Sequence, residues 1–278
     1  MSGNTSIQTL PKSIDQRPMT SVLPDKIHLV TVVAKERVTP HMLRVKFACA
    51  NVEPFIGGEM HVRLLLPRHG RLPVWPEAAE GGGFKWPKGE NEIRLRAYTI
   101  RAVDAERNEL WIDFLLHPTS GVATPGADFA RAARRGDRIA LLGPGSGRLP
   151  PSSVIHFVAD ETALPAIARI AAEVPAGTRM RGIIEVFDEA EEQPLPTAGS
   201  LEVRWLHRRY YPEGAKGRLA REGCKLIENA DETSFIWVAC EKQDVRSMRN
   251  LLKTLGRNGE DTYVAWYWDR NLSPVDGL

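Results

Sequence analysis

Arg96, Tyr98 and Thr99, within the stretch RLRAYTIR at 94–101, bring together three side chains that suit one kind of ligand. A planar guanidinium can hold a phosphate through two parallel hydrogen bonds, which a lysine does less well. Two residues on, a tyrosine offers a flat aromatic face, and a threonine beside it offers a hydroxyl. On an extended strand Arg96 and Tyr98 share one face while Thr99 points to the other. A phosphate clamp next to a ring-stacking residue is what a flavin nucleotide needs. The same residues equally describe a partly buried strand with surface arginines, so the motif alone does not decide.

Two further segments carry chemistry. In ADETALPAI, 159–167, an apolar run passes straight into a helix pattern, so Asp160 or Thr162 can cap it and its free amide groups favour an anion or a nucleotide edge. A capped helix with proline in its first turn fits the same letters. HPTSGVATPGADFA, 117–130, supplies small residues and hydroxyls ahead of a helix. The amide groups of Gly121 to Thr124 can cradle a pyrophosphate, or the segment is a plain surface loop. GPGSG at 143–147 has no Lys-Ser/Thr follower and reads as an interdomain turn. The acidic run DEAEE, 188–192, reads as a solvated loop. At the edge of a dinucleotide site it would favour ribose hydroxyls over a 2′-phosphate, unless the basic residues of 204–209 or 246–249 offset it.

Other chemistries lack their residues. The chain has no GxGxxG, Walker lysine, HExxH or GxSxG, and its seven histidines are scattered, so no protein metal site is expected. Cys49, Cys224 and Cys240 form no CxxC pair, which disfavours a disulfide framework and an iron–sulfur cluster and suits free thiols in a reducing cytoplasm. A net charge of +2 gives no global pull toward nucleic acid or an anionic membrane. No run of about 18 apolar residues marks a membrane span.

These segments need elements to hold them. Strands are expected at 27–36, 42–48, 61–66, 93–100, 109–116 and 138–142, with a long Gly/Pro/Trp loop over 68–91 and one short helix near 128–134. Short strands with turn signals and a single helix describe a closed antiparallel barrel. After 154 the pattern becomes buried strands (154–160, 180–187, 201–206, 235–239, 262–268) alternating with helices (162–173, 217–228, 243–255), which describes a parallel α/β sheet. The expected division is a mobile tail over 1–24, a barrel over 25–148 and an α/β nucleotide-binding domain over 149–278, joined near 144–152.

Taken in order, RAYT (96–99), IDFLLH (112–117), GVAT (121–124), RRGDRIALLGPGS (134–146), DETALPAIARI (160–170), EVFDEAEEQPLP (185–196), FIWVACEKQDVRSMR (235–249) and YWDR (267–270) resemble the siderophore-interacting proteins. These are FAD-binding ferric-siderophore reductases, and the resemblance runs from about 27 to 270. It implies a ferredoxin-reductase-like pair of domains, with an FAD-holding barrel followed by a pyridine-nucleotide domain. It implies Arg96, Tyr98, Thr99 and Asp113 at the flavin, and His117 with Gly121, Val122, Ala123 and Thr124 on the ribityl–pyrophosphate portion. Phe129 stands in for the family's tryptophan at the adenine. Asp160, Glu161, Thr162 and Ala163 fall near the flavin or the incoming nicotinamide. The usual ending GYWRxG is here WYWDRN, 266–271.

The activity implied is electron transfer from NADH, NADPH or a reduced ferredoxin through FAD to a ferric siderophore. Outer-sphere transfer of this kind requires no catalytic acid or base from the protein. Reduction weakens the chelate because hard oxygen donors prefer ferric iron. Arg63, Arg148 and Arg270 are the candidate cations for an anionic chelate. The competing readings are a general NAD(P)H:flavin reductase or diaphorase, and a siderophore-binding module without turnover.

Overall fold

The computed structural model describes residues 23–68, 70–116, 124–211 and 217–271. Its first half is built from β1 (Ile27–Thr39), β2 (Met42–Cys49), β3 (His61–Pro67), the two-residue strands β4 (Glu77–Ala78) and β5 (Phe84–Lys85), β6 (Ile93–Asp104), β7 (Glu109–Leu115), helix α1 (Pro125–Ala132) and β8 (Arg138–Gly145). The six long strands close in the order β1-β2-β7-β6-β3-β8, and every pair is antiparallel. Closure removes the exposed edges that an open sheet would leave. Inward-facing Val30, Val45, Phe47, Leu64, Ile112, Phe114 and Ile139 fill the barrel, and α1 plugs one side with Ala127, Phe129 and Ala130. The alternation of MLRVKFA in β2 is the alternation of its burial.

The second half runs β9 (Val154–Asp160), α2 (Leu164–Glu173), β10 (Arg179–Val186), β11 (Ser200–His207), α3 (Arg218–Glu228), β12 (Phe235–Glu241), α4 (Lys242–Thr254) and β13 (Thr262–Trp268). All pairings are parallel, in the order β11-β10-β9-β12-β13. The central strand β9 is almost wholly buried and β12 wholly so, as strands covered on both faces must be. One face packs on α2 and the other on α3 and α4. Strand order reverses between β9 and β12, and in such sheets the crevice beyond the carboxyl ends at that point is where ligands bind.

Three joints lock the halves together. Arg169 of α2, 1% exposed, donates to the carbonyls of Ile100 (3.1 Å) and Phe55 (2.7 Å) in the barrel and to Glu173 Oε1 (2.8 Å) on its own helix. Glu191 accepts from the Thr39 hydroxyl (2.5 Å) and the His41 amide (3.1 Å) at the β1–β2 turn. His61 Nε2, at the start of β3, lies 2.7 Å from the Tyr267 hydroxyl near the end of β13.

Element boundaries differ from the sequence reading in physically sensible ways. β1 and β6 run past Glu36 and Ile100 because their later residues still find ladder partners. α1 starts earlier, at Pro125, since proline suits a first helical position and Asp128 reaches back to the Thr124 amide (3.0 Å). The GPGSG segment is not simply an interdomain turn: β8 continues through Gly145, which pairs with His61 of β3. The 68–91 loop carries the β4–β5 hairpin.

Candidate functional site

The barrel side of the site is β6 together with the first turn of α1. Tyr98 leans on Phe114 of the core, with ring centroids 4.5 Å apart. Its hydroxyl edge abuts Gly126, where a Cβ would come within 2.7 Å of Cζ, so only glycine lets α1 approach this ring. Arg96 is near enough to Tyr98 that its charge acts on the phenol, and burial nonetheless drives the phenol far above its ordinary range. The Tyr98 hydroxyl therefore stays a proton donor. It points to a helix N-terminus, where free amide groups favour anions. A guanidinium, a phenol and a helix start around one point make a fitting cradle for the phosphate-bearing part of a flavin nucleotide.

Thr99 is buried and sits directly across from His61 in the β3–β6 ladder. Burial, the largest influence, lowers the His61 pKa to about 4, so the ring is neutral. His61 is also packed against Gly147, whose φ of +67° and lack of side chain make room for the imidazole. Tyr263 stacks on Trp237 at 5.1 Å and lies 6.4 Å from His61. Thr99, midway along β6, thus lies next to the joint with β13.

The α/β side of the site is the carboxyl edge of the sheet. Asp160, 3% exposed, accepts from the Thr162 amide (2.9 Å), the Thr162 hydroxyl and the Trp268 indole (2.7 Å). Burial and the neighbouring Glu161 push its pKa up to about 6. Ala163 is fully buried behind it. Glu161 is gripped by both amino groups of Arg208, one at 2.6 Å. The same guanidinium is 3.6 Å from Glu185, whose pKa burial pushes up to about 7. Across the switch point, burial works to raise the Glu241 pKa, but Arg270 (2.8 Å) and the Gln243 amide (2.7 Å) hold it below its ordinary value. Beside it the Cys240 thiol is fully buried and pushed up by that burial.

The remaining expected residues separate into groups. His117, Gly121, Val122 and Ala123 lie outside the described residues. Thr124 opens α1, with its hydroxyl on Asp128 (3.2 Å). Two of the expected residues have partners within the barrel. Asp113, 4% exposed, has one carboxylate oxygen on Arg44 Nε (2.6 Å) and the other on Arg44 Nη2 (2.8 Å), because β2 and β7 bring positions 44 and 113 opposite each other. Phe129, 7% exposed, packs beside Phe47 and Phe114 in the barrel core. Arg63 lies exposed on β3. Arg148 is exposed just beyond β8, 3.2 Å from Glu59. Arg270 is instead bound into the α/β domain by Glu241, with Asp244 at 3.7 Å. His61, Gly147 and Arg169 were missed by sequence reasoning. For Arg169 a signal existed, since a lone arginine inside the apolar helix LPAIARIAAE must find acceptors where it is buried.

Two family models match the chain, the siderophore-interacting FAD-binding domain over residues 31–148 and the siderophore-interacting protein over 153–271. Ferric vibriobactin reductase ViuB of Vibrio cholerae is 29% identical over 248 residues, spanning 87% of this chain and 89% of that protein. The Mycobacterium tuberculosis protein Rv2895c is 31% identical over 268 residues, spanning 88% and 90%. Among solved structures, a siderophore utilization protein from T. fusca superposes with a TM-score of 0.74 at 33% identity, covering 90% of this chain and 95% of that one. Ferredoxin-NADP+ reductase from Plasmodium falciparum, 13% identical with a TM-score of 0.60, shares the fold.

Proposed function

Because the chain belongs to the siderophore-interacting protein family, we propose that it reduces ferric siderophores, using FAD held by the barrel and NAD(P)H docked on the α/β domain. The observation that carries this is that the end of β13 serves both domains: Tyr267 bonds His61, which pairs with Thr99 of the Arg96–Tyr98–Thr99 strand, while the adjoining Trp268 bonds Asp160 at the switch point. Its relatives include reductases of ferric vibriobactin and ferric acinetobactin. The chemistry a bound FAD would supply is exchange between a two-electron hydride donor and a one-electron ferric acceptor.

The chain's own contribution is placement. Arg96, the Tyr98 hydroxyl and the start of α1 hold the phosphates, and the buried Thr99 hydroxyl fixes a ring edge at the domain joint. His61, neutral and bonded to Tyr267, keeps that joint closed without adding charge beside the ring. Arg169 and Glu191 hold the two halves at one separation, on which electron transfer depends steeply. Exposed Arg63 and Arg148 attract an anionic chelate to the barrel rim, whereas Arg270 serves the Glu241 carboxylate. Ferrous iron is then released in a reducing compartment, the cytoplasm, where the free thiols Cys49, Cys224 and Cys240 persist.

Anaerobic titration tests the reading. The purified protein should be yellow, NADH or NADPH should bleach it, and a ferric siderophore should restore the colour while a quinone does not. Equal re-oxidation by quinones favours a general diaphorase. Protein that binds no FAD supports a module without turnover. A reduced ferredoxin replacing both nucleotides would move the donor site off the crevice.

A further inference from the structure

We infer that the donor crevice is built for NADH and discriminates against the 2′-phosphate of NADPH. This rests on the proposed dinucleotide site. In doubly wound sheets the adenosine ribose lies beyond the carboxyl ends of the strands flanking the first one, here β10 and β11. A 2′-phosphate needs unpaired cations there, while ribose hydroxyls need acceptors.

The edge offers acceptors. Glu185 stands at the end of β10 and Asp188, Glu189 and Glu192 follow it, with Glu161 of the β9–α2 turn joined to the same edge through Arg208. The arginines that could offset them are engaged. Arg204 binds Glu222 (2.7 Å), Arg208 is held by Glu161 with Glu185 alongside, and Arg209 binds Asp188 (3.1 Å). His207 is bonded to Glu192 (2.8 Å) with Glu189 at 3.7 Å. Among the described residues, Glu161, Asp188, Glu189 and Glu192, with Glu185 only part-ionised at neutral pH, outnumber the guanidinia of Arg208 and Arg209, and a phosphate dianion entering this edge meets an excess of like charge. Arg218 at the start of α3 adds one more cation; it lies over the Tyr211 ring, 3.3 Å from the centroid, and its buried Nη1 has no hydrogen-bond partner among the described residues, so it is the residue that the test must separate from the carboxylates. A separate feature marks the edge as an adenosine surface. Tyr210 is 59% exposed, held by its hydroxyl to Glu189 (2.8 Å), with a ring face open for a purine.

The test measures binding apart from turnover. The FAD-loaded protein is titrated by calorimetry with ADP-ribose and with 2′-phospho-ADP-ribose at 50 mM and 500 mM NaCl. ADP-ribose should bind about 100-fold more tightly at low salt, and the gap should narrow at high salt, where exposed charges are screened. Glu189→Gln/Glu192→Gln should shrink the ratio about tenfold. Equal affinities, tighter binding of the phosphorylated form, or no binding of either overturns the inference. So does selective loss of the phosphorylated ligand in Arg218→Gln, which would seat the phosphate on that arginine. Dithionite-reduced protein mixed with a ferric siderophore tests the reductase reading independently, so failure of one is distinguishable from failure of the other.

Discussion

Replacing Gly126 by alanine tests whether the first turn of α1 is fitted to Tyr98. The added Cβ would stand 2.7 Å from Tyr98 Cζ and 2.8 Å from Cε2, with the hydroxyl oxygen nearer still. Carbon atoms rest about 3.5–4.0 Å apart, so the ring or the helix must give by about an ångström. The ring is backed by Phe114 at 4.5 Å, and the helix is anchored by Phe129 and Ala130 in the core. Overpacking of this kind costs about 1–3 kcal/mol. Whatever part of it is relieved by moving Tyr98 displaces the hydroxyl from the phosphate cradle, so FAD affinity should fall by roughly 10–100-fold, at 1.4 kcal/mol per factor of ten. The assay is FAD fluorescence released on ultrafiltration, alongside a thermal melt of the apoprotein. Gly58→Ala is the control, because a Cβ there meets nothing nearer than 3.8 Å. Adding Tyr98→Phe to Gly126→Ala removes the closest clashing atom and should recover part of the stability but not the flavin affinity. A Gly126→Ala protein that melts and binds FAD like its parent would refute the packing argument.

Arg169→Met should lower unfolding free energy by about 3–5 kcal/mol in denaturant titrations, since it strands the buried carbonyls of Ile100 and Phe55, and Arg169→Lys should recover about half. Glu185→Gln should change the pH dependence of stability. The folded pKa of about 7 lies above the ordinary 4.5, so the native state binds this proton more tightly than the unfolded chain, and stability is lost as pH rises between those values. The variant should therefore gain up to about 3 kcal/mol at pH 8, with no gain near pH 4 by urea titration. Glu191→Ala leaves the Thr39 hydroxyl and His41 amide without their acceptor and should cost about 2 kcal/mol or more. Its signature is a split of the unfolding curve into separate barrel and α/β transitions.

Both sheets were legible in the sequence because side-chain period reports burial directly. MLRVKFA alternates since one face of β2 meets the core, and FIWVACE is unbroken since β12 is covered on both faces. The RAYT strand carried a chemical hint of another kind, since guanidinium, phenol and hydroxyl suit a flavin nucleotide, though the same letters describe an ordinary strand. What period and spacing do not carry is which distant residues meet. Strand register sets the Asp113 carboxylate against Arg44 and helix packing sets the Phe129 ring beside Phe47, pairings that no spacing in the sequence shows. His61 gave no signal, because a lone histidine acquires meaning only from Thr99 and Tyr267 on either side. The acidic run makes the same point about charge. As a string, DEAEE beside RRYY cancels in part, and nothing in the letters says which side prevails. The fold turns Glu191 away to the barrel and pairs Arg204 with Glu222 on α3, so one acid and one base leave the edge together. Arg208 and Arg209 remain, each already facing a carboxylate, and the exposed Glu189 is left with only a phenol and a histidine for company. Among the described residues the carboxylates at this edge outnumber its guanidinia after pairing, and the inferred preference for ribose hydroxyls rests on that surplus.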